Sequence, residues 1–395
     1  MQKEFFIKVG NDNGNSEHDI IIEGNLIRQP NVYAKVRKIP MLDELKEEAI
    51  IEKIEENLIV SIVSPSAETG NYMIGECALK SGEKVRSIEV GVDNNKVDNN
   101  IVMVNTLSQI AGYACKKYFE EAKTFDELKE NSLKVNVDMA TALPISQYNT
   151  KSANEFSERF MKGVHNVIVY IGAYQVRVEI SFNFVKTIPE GVTAAWALKH
   201  ANDEIFKEYN SKPNVKQINA SDFKKSKILH VAIGEGTTEL PVTTGIEFDP
   251  NFINGINNGI GHAIDKSLGE FKRNLGLTNY SRQKFSEVLK DQSHKYHVIA
   301  EDIVEGYIED ESEEILHATK NEIQRANNEV DFICVYGGGS IPMRKNLEKL
   351  LQTYADRAMI NLLYIPEKEA VTLEAKGLYE FATSKVFSLL SKSNK

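Results

Sequence analysis

The chain has 395 residues, more than one hydrophobic core usually organises, so two domains are expected. Its 42% hydrophobic and 26% charged content is that of an ordinary soluble protein, and no apolar run approaches the roughly 20 residues that cross a bilayer. A formal charge of −10 argues against direct, nonspecific attachment to DNA, because such binding needs lysines and arginines to displace condensed counterions.

The opening MQKEFFIKVGND has no apolar stretch long enough for a signal peptide and predicts the first strand of a cytoplasmic protein. FFIKVGNDNGN is an apolar run ending in a glycine–asparagine cluster, a strand entering a tight turn, and DIIIEG follows to complete a hairpin. Residues from about 26 to 104 mix short strands (NLIVSIVS, NYMIGE) with charged turns and suggest an insertion. Within it, LDELKEEAIIEKIEENL has the charge pattern of an exposed helix or loop. From Ile101 to Tyr118 apolar residues recur at helical spacing, and KVNVDMATALPIS predicts a buried strand ending at a proline. Strands VHNVIVYIG and YQVRVEISFNFV come next and end at TIPEG, before a helix over VTAAWALKHANDEIFKEY.

The second half repeats the plan of the first. KILHVAIG enters the turn GEGTTE and leaves as LPVTTGIEF, a second strand–turn–strand unit with a glycine-rich tip, which a duplicated α/β fold explains. Residues from about 253 to 329 are expected to be mainly helical, with a long acidic amphipathic stretch. DFICVYGGGSIPMRKNLEKLL supplies a buried strand, a triple-glycine turn and a helix, and EAKGLYEFATSKVFSLL predicts one last amphipathic helix. Cys77, Cys115 and Cys334 lie too far apart for a zinc pattern and are expected to be reduced core residues. His18 and His165 have no partners at ligand spacing and are expected to be hydrogen-bonded structural residues.

Three turns can carry chemistry. In Asp12-Asn13-Gly14-Asn15-Ser16 the glycine lets backbone amides approach phosphate oxygens, and an acid at a strand end can hold hydrated Mg²⁺. Gly234-Glu235-Gly236-Thr237-Thr238 offers glycines and hydroxyls to β- and γ-phosphates. Taken singly, each of these is a hairpin turn, and only their pairing at homologous places points to a shared polyphosphate. Gly337-Gly338-Gly339-Ser340, between a strand and a helix, leaves room for a base or ribose, or is a flexible connection. It is not a Walker A loop, since no GK[ST] follows.

In order and surroundings these turns resemble the phosphate-1, phosphate-2 and adenosine motifs of the actin, sugar-kinase and DnaK-type chaperone superfamily. More narrowly, the chain is similar to the ParM/StbA branch of plasmid-segregation actins and their archaeal relatives. The residues that carry the resemblance are VGNDNGN, NYMIGECA at 71–78, NNKVDN at 94–99, TALPIS at 141–146, the KGVHNVIVYIG and TIPEG run, GEGTTE, VYGGGS and EAKGL at 374–378. The LP, KG-x-H and PEG arrangement separates this branch from chaperones and sugar kinases.

The resemblance implies an α/β, actin-like ATPase fold: two duplicated ribonuclease H-like domains flanking a nucleotide cleft, each with a smaller subdomain. Domain I would span 1–195 with an insertion subdomain at about 26–104 and the helix 375–395 packed back onto it. Domain II would span 196–374 with its subdomain at about 253–329. It further implies that Asp12 lies beneath Mg²⁺, through water, and the phosphates, with Gly14, Asn15 and Ser16 around the terminal phosphate. Glu190 of PEG matches the acid that orients the attacking water, a role a carboxylate can fill by accepting its proton. Asp12 and Glu190 are therefore the expected catalytic residues, and ATP with Mg²⁺ the expected cofactors, with the choice between ATP and GTP left open.

Two departures stand out. The aspartate that usually opens the phosphate-2 turn is Ala232, with Glu235 as a substitute or slow hydrolysis as the result. The lysine expected after the first turn is replaced by Glu17, His18 and Asp19, which leaves phosphate charge to Mg²⁺, backbone amides or a lysine elsewhere such as Lys96.

The implied function is an ATPase that polymerises with ATP and moves plasmid copies through a ParR-like DNA-binding adaptor on a centromere, its own partners being further copies of itself rather than nucleic acid or membrane. Two alternatives stay open: a small-molecule kinase of the same fold, for which no acceptor-site base is evident, and a nucleotide-gated scaffold with weak hydrolysis.

Overall fold

The computed structural model describes residues 3–41, 45–88, 95–128, 131–213 and 215–393, which fall into two compact units, 1–193 with 375–395 and 194–374. In the first unit, alternation of Phe5, Ile7 and Val9 with more exposed neighbours makes β1 (Lys3–Asn13) a strand with one face in the core. The turn at Gly14 returns it as β2 (Glu17–Ile22), and β3 (Asn25–Pro30) adds a second antiparallel neighbour.

On the other side of β1 lie β8 (Ser132–Leu143) and β10 (Tyr174–Pro189), both parallel to it. Beyond β10 the sheet continues antiparallel through β9 (Val164–Ile171), β5 (Ile59–Val63), β6 (Gly70–Ile74), β4 (Val32–Val36) and β7 (Val85–Ser87). Among the described residues this gives one ten-stranded sheet in the order β3-β2-β1-β8-β10-β9-β5-β6-β4-β7.

The helix Asn100–Ala122 is apolar on nearly all sides and buried along most of its length, as expected of a helix enclosed by protein. The segment 45–56 is less exposed than its charge pattern predicts. It forms a short helix, Glu47–Glu52, and a turn whose Ile50, Ile51 and Ile54 enter the same core as the long helix. Isoleucines three and four apart, rather than the charges between them, decide its packing.

Helix residues 375–383 lie against β1. A Cβ added at Gly10 would stand 2.4 Å from the Tyr379 amide nitrogen and 2.7 Å from its Cα, so this close approach of helix to strand requires glycine. The final helix is two helices, Leu373–Thr383 and Lys385–Ser393, because the Ser384 hydroxyl accepts the Phe387 amide at 3.1 Å and caps a new start.

The second unit repeats the pairing plan. β11 (Lys227–Ile233) is joined antiparallel by β12 (Thr238–Glu239) and β13 (Val242–Thr244), with β14 (Glu247–Phe248) beyond β13 and β15 (Gly255–Ile256) beyond β12. On the other edge β16 (Phe332–Tyr336) and β17 (Asn361–Tyr364) run parallel to β11 and to each other. Both units thus have a strand, antiparallel returns on one side and two parallel strands on the other, the signature of duplication. Helices Ile260–Leu275, Arg282–Lys290 and His297–Arg325 pack together in this unit, and Ser340–Ala358 follows β16. The helix expected over 192–209 breaks at Ala201 and Asn202 into shorter turns.

Among the described residues no helix is long and apolar enough to cross a membrane. Cys115 and Cys334 are buried and Cys77 is half-buried, all as free thiols.

Candidate functional site

Parallel strands present their carboxyl ends together, and in open α/β sheets ligands bind at that edge. Asn11 of β1 is level with Thr141 of β8, and Thr141 with Thr187 of β10. One residue beyond Asn11 is Asp12, and Glu190 directly follows β10, its amide donating to Leu143 O at 2.8 Å. Sequence-distant Asp12 and Glu190 are in this way carried to one edge of a single unit.

Lys96 joins them. Its Nζ lies 2.6 Å from Glu190 Oε1, its side chain is only 4% exposed, and its amide donates to Gln147 Oε1 at 2.9 Å. Of the NNKVDN run, Asn94 lies outside the described residues. Burial, with the carboxylates of Glu190, Asp19 and Glu17 nearby, pushes the Asp12 carboxyl up to about 8 against the opposing pull of Lys96. Asp19, cross-strand from Asp12, is pushed up to about 7, again mainly by burial, although Arg28 donates to it from Nε at 3.0 Å. An acidic pocket of this kind relaxes when a cation enters. That suits the hydrated Mg²⁺ expected at Asp12.

The turn after β1 is held from inside. Asn13 and Asn11 alternate to the face opposite Asp12, where a buried polar network takes them up. Asn31 donates to Asn13 Oδ1 at 2.6 Å and to the Gly14 carbonyl, its own amide donates to Ser16 O at 2.8 Å, and Asn105 donates to Asn31 Oδ1 at 2.7 Å. Thr106 donates to Asn11 Oδ1 at 3.3 Å, and His18 Nε2 lies 2.7 Å from the same oxygen. Burial pushes the His18 imidazole down to about 3, so it is neutral and donates from Nε2. Asn13 is thereby committed to the fold, while Ser16 is exposed, Gly14 and Asn15 are partly so, and Asn15 Oδ1 is buried with no hydrogen-bond partner among the described residues. Asn31, Asn105 and Thr106 went unnoticed in the sequence, where no glycine, charge or motif marks them.

In the second unit the turn after β11 closes with Gly234 N donating to Thr237 O at 2.9 Å. Helix 260–275 grips it: Ile260 N donates to Gly234 O at 3.2 Å, Gly261 N to Glu235 O at 2.7 Å, and His262 Nε2 to Gly236 O at 3.0 Å. Glu235 is ion-paired with Arg282 at 2.5 Å, and Arg282 also meets Asp265 at 3.1 Å. The acid that lies directly cross-strand from Ala232 is instead Glu239, buried on the same face. The Thr238 hydroxyl, fully buried, donates to Asn258 O at 2.6 Å, which commits it to the fold and leaves Thr237 as the partly exposed threonine of the turn.

The third turn docks beside the second. Gly339 N donates to Ile233 O at 2.9 Å, and the buried Ser340 hydroxyl donates to Gly337 O at 2.8 Å. Gly337 has φ +94°, and a Cβ there would meet Ile233 O at 2.4 Å, while one at Gly339 would meet Gly234 O at 2.9 Å. The chain's own packing therefore requires two of the three glycines, and Gly338 alone faces open space. His165, like His18, is structural, with Ser64 Oγ at 2.7 Å from Nδ1 and Phe160 O at 2.7 Å from Nε2. Among the described residues no group of three or more His, Cys, Asp or Glu is placed to hold a metal directly.

Comparison with known proteins agrees with the resemblance and the fold class. Residues 10–192 match the family described as actin like proteins N terminal domain. The actin-like protein Alp7A superposes with a TM-score of 0.71 at 16% identity, covering 99% of each chain. ParM of Bacillus thuringiensis with ATP gives 0.60 at 15% identity over 98% of this chain and 99% of that one. Ta0583, an archaeal actin homolog in complex with ADP, gives 0.61 at 15% identity over 95% and 98%. At such identities the structures show the fold. No curated protein matched by sequence.

Proposed function

We propose, from the premise that this chain is an actin-like protein of the ParM type, that it binds ATP with Mg²⁺ at its glycine turns and assembles into filaments whose turnover follows hydrolysis. The observation that carries this reading is the convergence of Asp12 and Glu190 at the carboxyl ends of β1 and β10 of one sheet, with the Lys96 side chain reaching Glu190. Bound ATP with Mg²⁺ supplies an electrophilic γ-phosphorus and a leaving ADP. The chain supplies Glu190 to orient a water and accept its proton, and Asp12 to hold the hydrated cation.

Solved relatives support nucleotide binding, since one ParM structure contains ATP and the Ta0583 structure contains ADP. With a charge of −10, the protein would reach DNA through a basic adaptor, as in a cytoplasmic plasmid-segregation system. Head-to-tail contacts between identical copies propagate as open filaments, which suits such a machine. The test is light scattering and pelleting of concentrated pure protein. Both rise on addition of Mg-ATP if the reading is right, and a flat response at every protein concentration refutes it.

Ala232 favours a second reading, a filament or scaffold gated by nucleotide but slow to hydrolyse it. Assembly with ATP combined with turnover that is no faster in the parent than in Glu190→Ala identifies that case.

A further inference from the structure

An ammonium group can donate three hydrogen bonds, and burying it is costly unless they are used. Lys96 is buried, and the carboxylate of Glu190 is the hydrogen-bond acceptor of its Nζ among the described residues. Its charge also reaches Asp12, whose carboxyl it stabilises in the ionised form. A cation with donors to spare thus stands at the strand ends, beside a hairpin whose own residues after the first glycine turn are Glu17, His18 and Asp19, with no lysine among them. Arg28 on the same hairpin cannot serve, being held by Glu17 and Asp19.

The two partners of the pair are unequally fixed. Lys96 is 4% exposed, with its backbone tied to Gln147 and the Asn99-capped helix directly after it. Glu190 is 18% exposed and sits in the turn after β10, so its side chain has solvent to move into.

We propose that Lys96 is the phosphate-binding cation of this chain and that its pair with Glu190 is the resting state. An entering polyphosphate takes over the lysine's donors and frees the Glu190 carboxylate to engage water. Glu190 is then withheld from water until the phosphate has arrived, so the site is assembled by its own substrate. This rests on the reading that the chain binds ATP.

Calorimetric titration of the full chain with ATP, ADP and adenosine, below the concentration at which it assembles, tests it. The variants are Lys96→Met, Lys96→Arg, Glu190→Gln and the double Lys96→Met/Glu190→Gln. Lys96→Met weakens ATP and ADP by about 10- to 100-fold, the worth of a charge-assisted hydrogen bond, and leaves adenosine unchanged. Lys96→Arg restores most of the loss, and Glu190→Gln binds ATP as tightly as the parent or tighter.

The decisive comparison is the double variant against Glu190→Gln: the double variant removes both charges of the pair, and in Glu190→Gln the amide oxygen still accepts from Lys96 Nζ, so both should fold even if Lys96→Met does not. A further loss of ATP affinity in the double variant supports the proposal. Equal affinity makes Lys96 a structural counter-ion of Glu190 and overturns it. A parent that binds adenosine but not ATP overturns it as well, and one that binds neither removes the functional reading itself.

Discussion

Asn31 offers the sharpest test of how the first turn is held. Replacing it with alanine removes the donor to Asn13 Oδ1 and Gly14 O and the acceptor for Asn105 Nδ2, which leaves three polar groups to find other partners in a region that is largely buried. Each unsatisfied buried group costs about 1–3 kcal/mol, and the Gly14 carbonyl lies near enough to solvent to stay at the low end. A loss of about 3–5 kcal/mol is expected, in the range reserved for broken buried networks. Asn105→Ala removes one of these links, the donor to Asn31 Oδ1, and is expected to cost about 1–2 kcal/mol.

Urea unfolding of the first variant against the second reads the difference. Hydrogen exchange locates it, because the Asn31 amide is bonded to Ser16 O and should lose protection in Asn105→Ala before the amides of β1 do. Equal costs for the two variants, or an Asn31→Ala protein within 1 kcal/mol of the parent, would refute the idea that this side chain is the anchor of the turn.

Three further outcomes follow from the same structure. Gly10→Ala places a methyl against the backbone of Tyr379, which cannot rotate away, so it should destabilise by about 1–3 kcal/mol and expose residues 375–383 to protease before the remainder of the first unit. His18 and His230 are both pushed by burial from 6.5 down to about 3, so the unfolded chain takes up their protons first and stability falls as pH drops below about 6.5. At pH 5 each accounts for about 2 kcal/mol, and the raised carboxyls of Asp12 and Asp19 act in the opposite sense. The histidine share is therefore measured as a signed difference: on going from pH 7 to pH 5 the melting temperature of His18→Gln should fall less, or rise more, than that of the parent. Glu190→Gln should lower ATP turnover by about 10²–10⁴-fold while ATP still binds, and unchanged turnover in a single-turnover assay would exclude it as the group that positions water.

Local patterns were enough for much of this protein. Alternating apolar residues define β1, β8 and β10, a run of apolar residues at helical spacing defines the 100–122 helix, and glycine clusters mark each turn, because strand, helix and turn chemistry act over a few residues. The repeated strand–turn–strand pattern likewise announced the duplication that both sheets display. Where packing or a cap competes with periodicity, the fold departs from the pattern: charges around Ile50 and Ile54 suggest an exposed helix or loop, whereas the short helix there seats its isoleucines in the core, and a Ser384 cap three residues from Phe387 divides a helix that periodicity alone joins. Thr238, Asn13 and Ser340 belong to motifs that suggested ligand contact, yet side-chain direction in the folded chain turns all three inward.

What the sequence determined by itself is the set of chemical groups available: acids at two strand ends, glycine where the backbone must come close, and no lysine after the first turn. Which groups meet was decided by tertiary structure alone. Lys96 reaches Glu190 across 94 positions of chain, and Asn31 holds the Gly14 turn from a strand boundary with no motif of its own, since hydrogen bonds depend on distance in space and carry no record of separation along the chain.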